Sequence, residues 1–171
     1  MKNISFVFQD VFLFNDTVLN NIRIGRPDAT VEDVQEAARR AGCADFIEAM
    51  ESGYDTVIGE AGSRLSGGEK QRISIARAII KDAPIVLLDE VTANVDVENE
   101  RMIQTALQEL LKNKTVIMIA HKLSTIRNAD QILVLENGTI SERGMHDELI
   151  AQNGLYRRLW NIQYEAERWR M

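Results

Sequence analysis

Residues 65–90 read LSGGEKQRISIARAIIKDAPIVLLDE, and this stretch decides the fold. A Ser-Gly-Gly turn opens a helix, because Ser66 and Glu69 form an S-x-x-E capping box ahead of an apolar pattern with helical period. The helix is expected to continue through Ile80. An apolar run at residues 85–88 then has the pattern of a strand that is covered on both faces in a parallel sheet. A capped helix followed by a buried strand predicts an α/β protein.

Both ends of this stretch carry groups that suit a phosphate. Backbone N–H groups at Ser66, Gly67 and Gly68 can approach an anion at the positive end of a helix dipole. Asp89 and Glu90 stand where a buried strand ends, and adjacent acids can divide metal binding from water activation. Each feature also has a structural alternative, since S-G-G is an ordinary helix-capping turn and acidic pairs occur in solvated loops.

Outward from this stretch, strands alternate with helices, which predicts a mostly parallel sheet with flanking helices. A β-rich run at residues 4–8 precedes an irregular segment at residues 11–28, where Phe12, Leu13 and Phe14 are too apolar for a solvated loop. Residues 30–80 are interpreted as a helical insert between two strands. The other predicted elements are helices at residues 98–112 and from 146 onward, strands at 115–120 and 131–136, and a hairpin through Asn137-Gly138 into 139–142.

Composition and net charge limit the classes of protein to which the chain can belong. The chain has 171 residues and is 45% hydrophobic, which is typical of one globular unit. Its net charge of −6 disfavours a nucleic-acid surface. The single cysteine, Cys43, excludes an internal disulfide framework and suits a reducing compartment. No apolar run approaches the roughly 20 residues of a membrane span, so the chain as written is expected to be soluble and cytoplasmic.

Polar residues also follow two further predicted strands. Gln9 follows the strand at residues 4–8, and His121 follows the strand at 115–120. A lone histidine at such a place is more often structural than catalytic. Four strand or loop ends thus carry polar groups, namely Gln9, Ser66-Gly67-Gly68, Asp89-Glu90 and His121. A purely structural interpretation explains this set poorly.

These motifs resemble those of ATP-binding cassette (ABC) ATPases. LSGGEKQR is similar to their signature motif, IVLLDE to their Walker B strand, FVFQD to their Q-loop, and the histidine of IMIAHKLSTI to their switch histidine. FQDVFLFNDTVLNNIRIG and AHKLSTIRNADQILVLENGTISERGMHDELI are similar to the nucleotide-binding domains of ABC exporters. The resemblance covers essentially the whole chain. It implies a P-loop NTPase-like core formed by residues 1–9 and 81–171, with a helical subdomain, residues 10–80, inserted between the Q-loop strand and the Walker B strand.

The resemblance implies a role for each motif residue, with ATP and Mg²⁺ as cofactors. Glu90 would be the general base and His121 a γ-phosphate contact. Gln9 would contact Mg²⁺ and the attacking water and would relay to the transmembrane domain, while Asp89 would belong to the metal shell. The implied nucleotide-binding residues, in a head-to-tail dimer, are Ser66, Gly67, Gly68, Gln71 and Asp96.

The sequence departs from the family at the phosphate-binding loop (P-loop). It contains no G-x-x-x-x-G-K-[ST], and the nearest match, residues 62–67, continues with Gly68 where the lysine belongs. The family's P-loop strand, stacking aromatic and N-terminal antiparallel strands are also missing. We therefore expect Met1 to be an internal methionine of a longer exporter. The chain alone should bind ATP weakly or not at all, and the strand at 131–136 should face a gap in the sheet.

The expected function is ATP binding and hydrolysis that powers transmembrane export, at the cytoplasmic face of the cell membrane in the intact transporter. The implied partners are a second nucleotide-binding domain and a transmembrane domain that approaches residues 9–14, with no nucleic acid. One alternative is a non-catalytic ABC partner subunit that donates its signature motif. Another is a soluble ABC ATPase of DNA repair or translation, which is disfavoured because the 55 residues between Gln9 and Leu65 leave no room for a long coiled coil.

Overall fold

A computed structural model describes residues 2–89, 97–120 and 122–168. Contacts divide the chain into two compact units, Met1–Ile119 and Ala120–Met171. None of the helices in these described ranges combines the length and the apolar composition of a membrane span.

The first unit contains the predicted parallel sheet. Its strands, in spatial order, are β1 (Ile4–Val7), β2 (Ile85–Asp89) and β3 (Thr115–Ile119). Both pairings are parallel, with Val7 opposite Leu88 and Asp89 opposite Ile119. The carboxyl ends of all three strands therefore lie at one edge of the sheet.

Four α-helices lie between β1 and β2, and one more connects β2 to β3. They are α1 (Val18–Arg23), α2 (Val31–Arg40), α3 (Ala44–Glu48), α4 (Gly67–Lys81) and α5 (Val97–Leu111). This order confirms the predicted α/β class and the helical character of residues 30–80. Helix α4 packs against α1, α2, α5 and β1, so it lies at the centre of the unit.

The expectation that residues 11–28 are irregular is wrong at α1. Thr17 caps this six-residue helix by accepting a hydrogen bond from Asn20 N at 3.1 Å. Val18 and Ile22 are fully buried. A helix this short is not stable by propensity alone, so packing of these side chains provides most of its stability.

The capping box that opens α4 is present as predicted. Ser66 Oγ accepts from Glu69 N at 3.3 Å, and Glu69 Oε2 accepts from Ser66 N at 2.7 Å. Ile73 and Ala76, which lie three positions apart in the apolar pattern of this helix, are fully buried. The local pattern therefore determined both where the helix begins and which face it buries.

The second unit is a hairpin with two helices. Strands β4 (Ile132–Glu136) and β5 (Thr139–Gly144) pair antiparallel, and among the described strands β4 pairs only with β5. Asn137 and Gly138 both have positive φ, as the predicted two-residue turn requires. Helices α6 (His146–Gln152) and α7 (Leu155–Arg168) follow, separated at Asn153, which is left-handed. Four buried side chains form the core of this unit: Ile132, Val134, Leu149 and Tyr156.

Helices α1 and α4 approach closely just after α1 ends. A Cβ atom built on Gly25 would lie 2.2 Å from the carbonyl oxygen of Arg77 and 2.7 Å from Cγ2 of Ile80. Backbone would have to move to admit any side chain at this position. Only glycine therefore allows this approach.

We predict that Gly25→Ala lowers the free energy of unfolding by about 1–3 kcal/mol, because the added methyl group overlaps α4. Urea denaturation followed by circular dichroism measures the change. Gly67→Ala is the matched control, because nothing lies within 4 Å of its added Cβ. Equal unfolding free energies for the two variants would contradict the prediction.

Candidate functional site

The carboxyl edge of the parallel sheet brings two predicted metal ligands to the same side of the unit. Asp89 is the last residue of β2 and is half-buried, whereas Gln9 follows β1 by two residues and is exposed. Val7 pairs with Leu88, so the chain leaves both strands at the same level. Three other predicted site residues lie outside the described residues: Glu90, Asp96 and His121.

The first turn of α4 presents unpaired backbone donors. Ser66 and Glu69 satisfy each other in the capping box. The N–H groups of Gly67 and Gly68 have no acceptor among the described residues. Because α4 is 15 residues long, its aligned peptide dipoles place partial positive charge at these two donors. This turn is chemically suited to an anion.

The two signature glycines occupy different surroundings. A Cβ atom on Gly67 would meet nothing within 4 Å, and Gly67 is exposed. A Cβ atom on Gly68 would lie 2.6 Å from the side-chain amide of Asn99 on α5, and Gly68 is buried. Gly67 therefore leaves open space in front of the helix, whereas Gly68 allows α4 to pack on α5.

Gln71 points into the protein. Its side chain is only 4% exposed, and its Nε2 donates to the carbonyl oxygen of Phe8 at 3.2 Å. Phe8 immediately precedes Gln9, so this bond joins α4 to the end of β1. A direct contact of Gln71 with nucleotide remains a prediction.

Sequence reasoning missed two polar residues, Arg77 and Asn21. Arg77 lies on α4 and hydrogen-bonds to the carbonyl oxygen of Phe12 and to Asn21, which is fully buried on α1. Burial lowers the pKa of Arg77 to about 10, which still leaves the guanidinium charged at pH 7. The sequence does contain a signal for the role of Arg77, which is an arginine inside the apolar run ISIARAII. A buried cation needs hydrogen-bond acceptors close by.

Comparison with known proteins gives one family. The model of the ABC transporter family matches residues 1–93. The ATP-dependent lipid A-core flippase of Chromobacterium violaceum is 52% identical over 162 residues, and that of Salmonella paratyphi A is 54% identical over 164 residues. Each alignment covers 95% of this chain and 28% of the relative, so the chain spans little more than a quarter of their length.

A solved structure shows the same fold. The structure of a bacterial Atm1-family ABC exporter with ATP bound matches with a TM-score of 0.84 and 45% identity, over 95% of this chain and 28% of that one. The α/β architecture and the resemblance of the motifs are thereby confirmed. The family model matches more than half of the residues and includes the signature motif and the Walker B strand. The chain therefore belongs to the ABC transporter family.

Proposed function

We propose that this chain is part of the nucleotide-binding domain of an ABC exporter, where it takes part in binding and hydrolysing ATP to drive transport. The observation that carries this proposal is the first turn of α4, with two free N–H groups and open space at Gly67. The names of the relatives, which are ATP-dependent flippases, and the ATP-bound exporter with the same fold support it. We assign residues 10–80 to the helical subdomain and the remainder to the catalytic core.

In this proposal, α4 serves a nucleotide that a second nucleotide-binding domain holds. The free amides of Gly67 and Gly68, with Ser66 beside them, would bind the γ-phosphate across a head-to-tail interface. Preorganised donors at a helix end stabilise charge that develops on the transferred phosphoryl group. The exposure of Ser66 and Gly67 is consistent with a ligand that arrives from outside the chain. Asp96 would communicate across the same interface.

The carboxyl edge of the sheet would serve the chain's own nucleotide. Asp89 and Gln9 offer oxygen ligands of the type that Mg²⁺ takes. The described residues contain no group of three or more His, Cys, Asp or Glu side chains that could enclose a metal. Mg²⁺ commonly binds through one or two protein oxygens together with phosphate and water, so Asp89 and Gln9 could hold it beside a bound nucleotide. When bound, the ion would neutralise charge on the β- and γ-phosphates.

Glu90 and His121 would complete the reaction at this edge. Glu90 would accept a proton from the attacking water, and His121 would contact the γ-phosphate. Phosphoryl transfer depends mostly on positioning and charge neutralisation, so an oriented water and a few fixed donors are the parts it needs.

The first unit also presents an apolar surface that suits a transmembrane partner. Phe12 and Phe14 are 64% and 51% exposed, and their rings pack edge to face with centroids 5.0 Å apart. Ile24 and Val57 are exposed as well. We assign the segment from Gln9 to Phe14 as the contact with the transmembrane domain, which would place the chain at the cytoplasmic face of the membrane.

A second candidate function rests on the same signature turn of α4. In it, the chain acts as a non-catalytic partner that donates its signature turn to a nucleotide bound elsewhere. The two candidates differ in whether Glu90 is needed for turnover.

We predict that Glu90→Gln in the complete gene product lowers the rate of ATP hydrolysis by about 10²- to 10⁴-fold, because the general base is lost. Affinity for MgATP should stay unchanged, since the substitution preserves size. Phosphate release and equilibrium binding of a fluorescent ATP analogue measure the two properties. Glu100→Gln, at a half-buried position on α5, is the matched control. Full turnover in Glu90→Gln would reject the base assignment and favour the second candidate.

We further predict that the two signature glycines respond differently to alanine. Gly67→Ala should fold with an unfolding free energy within about 1 kcal/mol of the parent, yet lose ATP-dependent dimerisation because the methyl group fills the open approach. Gly68→Ala should be destabilised by about 1–3 kcal/mol through its clash with Asn99. Light scattering with and without ATP, on the complete nucleotide-binding domain of the gene product carrying Glu90→Gln, measures dimerisation. Normal dimerisation of Gly67→Ala would contradict a ligand approach at this face.

A further inference from the structure

One buried amide fixes the backbone of the aromatic loop, which we define as residues 12–17. Asn21 Oδ1 accepts from Phe14 N at 2.9 Å. Its Nδ2 donates to Phe14 O at 3.0 Å and to Thr17 O at 2.9 Å. Nδ2 also donates to Asp16 O at 3.4 Å, so a single side chain bonds to backbone groups at three positions of the loop.

Arg77 ties this loop to α4. Its Nη1 donates to Phe12 O at 2.6 Å, its Nε to Asn21 O at 2.6 Å, and its Nη2 to Asn21 Oδ1 at 2.5 Å. The planar guanidinium fork can serve three acceptors with fixed relative geometry. The loop is therefore held by α4 directly at Phe12 and indirectly, through Asn21, at Phe14.

The backbone that carries the aromatic pair, Phe12 and Phe14, is held by packing as well as by hydrogen bonds. Leu13, between the two exposed phenylalanines, is fully buried, and a Cβ atom on Gly62 would lie only 2.8 Å from its Cδ1. Hydrogen bonds thus hold Phe12 and Phe14 on either side of a buried anchor. A surface whose backbone is already ordered loses little conformational entropy when a partner binds.

Helix α4 also binds the chain just before the aromatic loop. Gln71 bonds to Phe8 O at 3.2 Å, and Arg77 bonds to Phe12 O. Residues 8–12, which include Gln9, are therefore fastened to α4 at both ends. Arg77 lies 11 positions after Ser66, which corresponds to about 16 Å along a helix.

We infer that Arg77 is a positioning residue that makes the first turn of α4 and the aromatic loop move as one body. The nucleotide end of this unit at Ser66 and the partner surface at Phe12 and Phe14 are then mechanically connected through α4. The inference rests on the proposed function for the ligands at the two ends. The hold of Arg77 on the loop can be tested separately from it.

Lys81 supplies a matched control on the same helix. Its Nζ donates to Ile4 O at 2.6 Å, so it too is a half-buried cation bonded to a backbone carbonyl. Its acceptor lies in β1 and not in the aromatic loop. Replacing Lys81 with methionine removes a comparable bond without touching the loop.

The test uses a nitroxide label at an exposed loop position, Asn15→Cys, in the complete gene product in lipid nanodiscs. Within this chain, Cys43 is fully buried, and burial raises its pKa to about 12, so it does not compete for the label. Any cysteine in the rest of the gene product is replaced by serine. We expect Arg77→Met to raise label mobility and to lower kcat for ATP hydrolysis about 10- to 100-fold, with KM for ATP within twofold. Lys81→Met should change neither mobility nor kcat by more than twofold. Arg77→Lys should be intermediate, because an ammonium cannot reproduce the fork.

Three results would overturn the inference. They are unchanged mobility in Arg77→Met, an equal rise in mobility in Lys81→Met, and a rise in mobility with kcat unaffected. If Arg77→Met does not fold, Arg77→Lys decides on the same criteria, since it keeps the buried charge. A parent protein that hydrolyses no ATP would reject the proposed function, and label mobility alone would then decide whether Arg77 holds the loop.

Discussion

The packing of α4 is the constraint on which the first unit depends. This helix contacts α1, α2, α5 and β1, and several of its apolar residues, among them Ile73 and Ala76, are fully buried. Close-packed interiors shift between discrete arrangements and do not deform gradually. The polar contacts of Gln71 and Arg77 therefore keep fixed geometries because the helix that carries them is immobilised by apolar packing.

Much of the fold could be predicted because its determinants are local. The capping box at Ser66, the continuous apolar strands and the Asn137-Gly138 turn each depend on residues that are close in sequence. Helix α1 could not be predicted in the same way. Its six residues are stabilised by the burial of Val18 and Ile22 and by the bond from Arg77, all of which arise from the tertiary structure.

The candidate site likewise combines features that the sequence predicts with features that only the tertiary structure shows. Parallel strands were enough to predict that Gln9 and Asp89 would leave the sheet at one edge. The link between Arg77 and Phe12 joins residues 65 positions apart, and no periodicity in the sequence reports such a pair. The different surroundings of Gly67 and Gly68 were also hidden, since adjacent glycines look alike until the neighbouring helix α5 is in place.

The atoms that Arg77 binds have an evolutionary consequence. Two of its three acceptors are backbone carbonyl oxygens, those of Phe12 and Asn21. A carbonyl is present whatever side chain the residue carries, so the anchor places no demand on the identity of residue 12. A substitution at residue 12 can therefore change the exposed side chain while the attachment to α4 stays the same. The anchoring residues, by contrast, have little freedom to diverge.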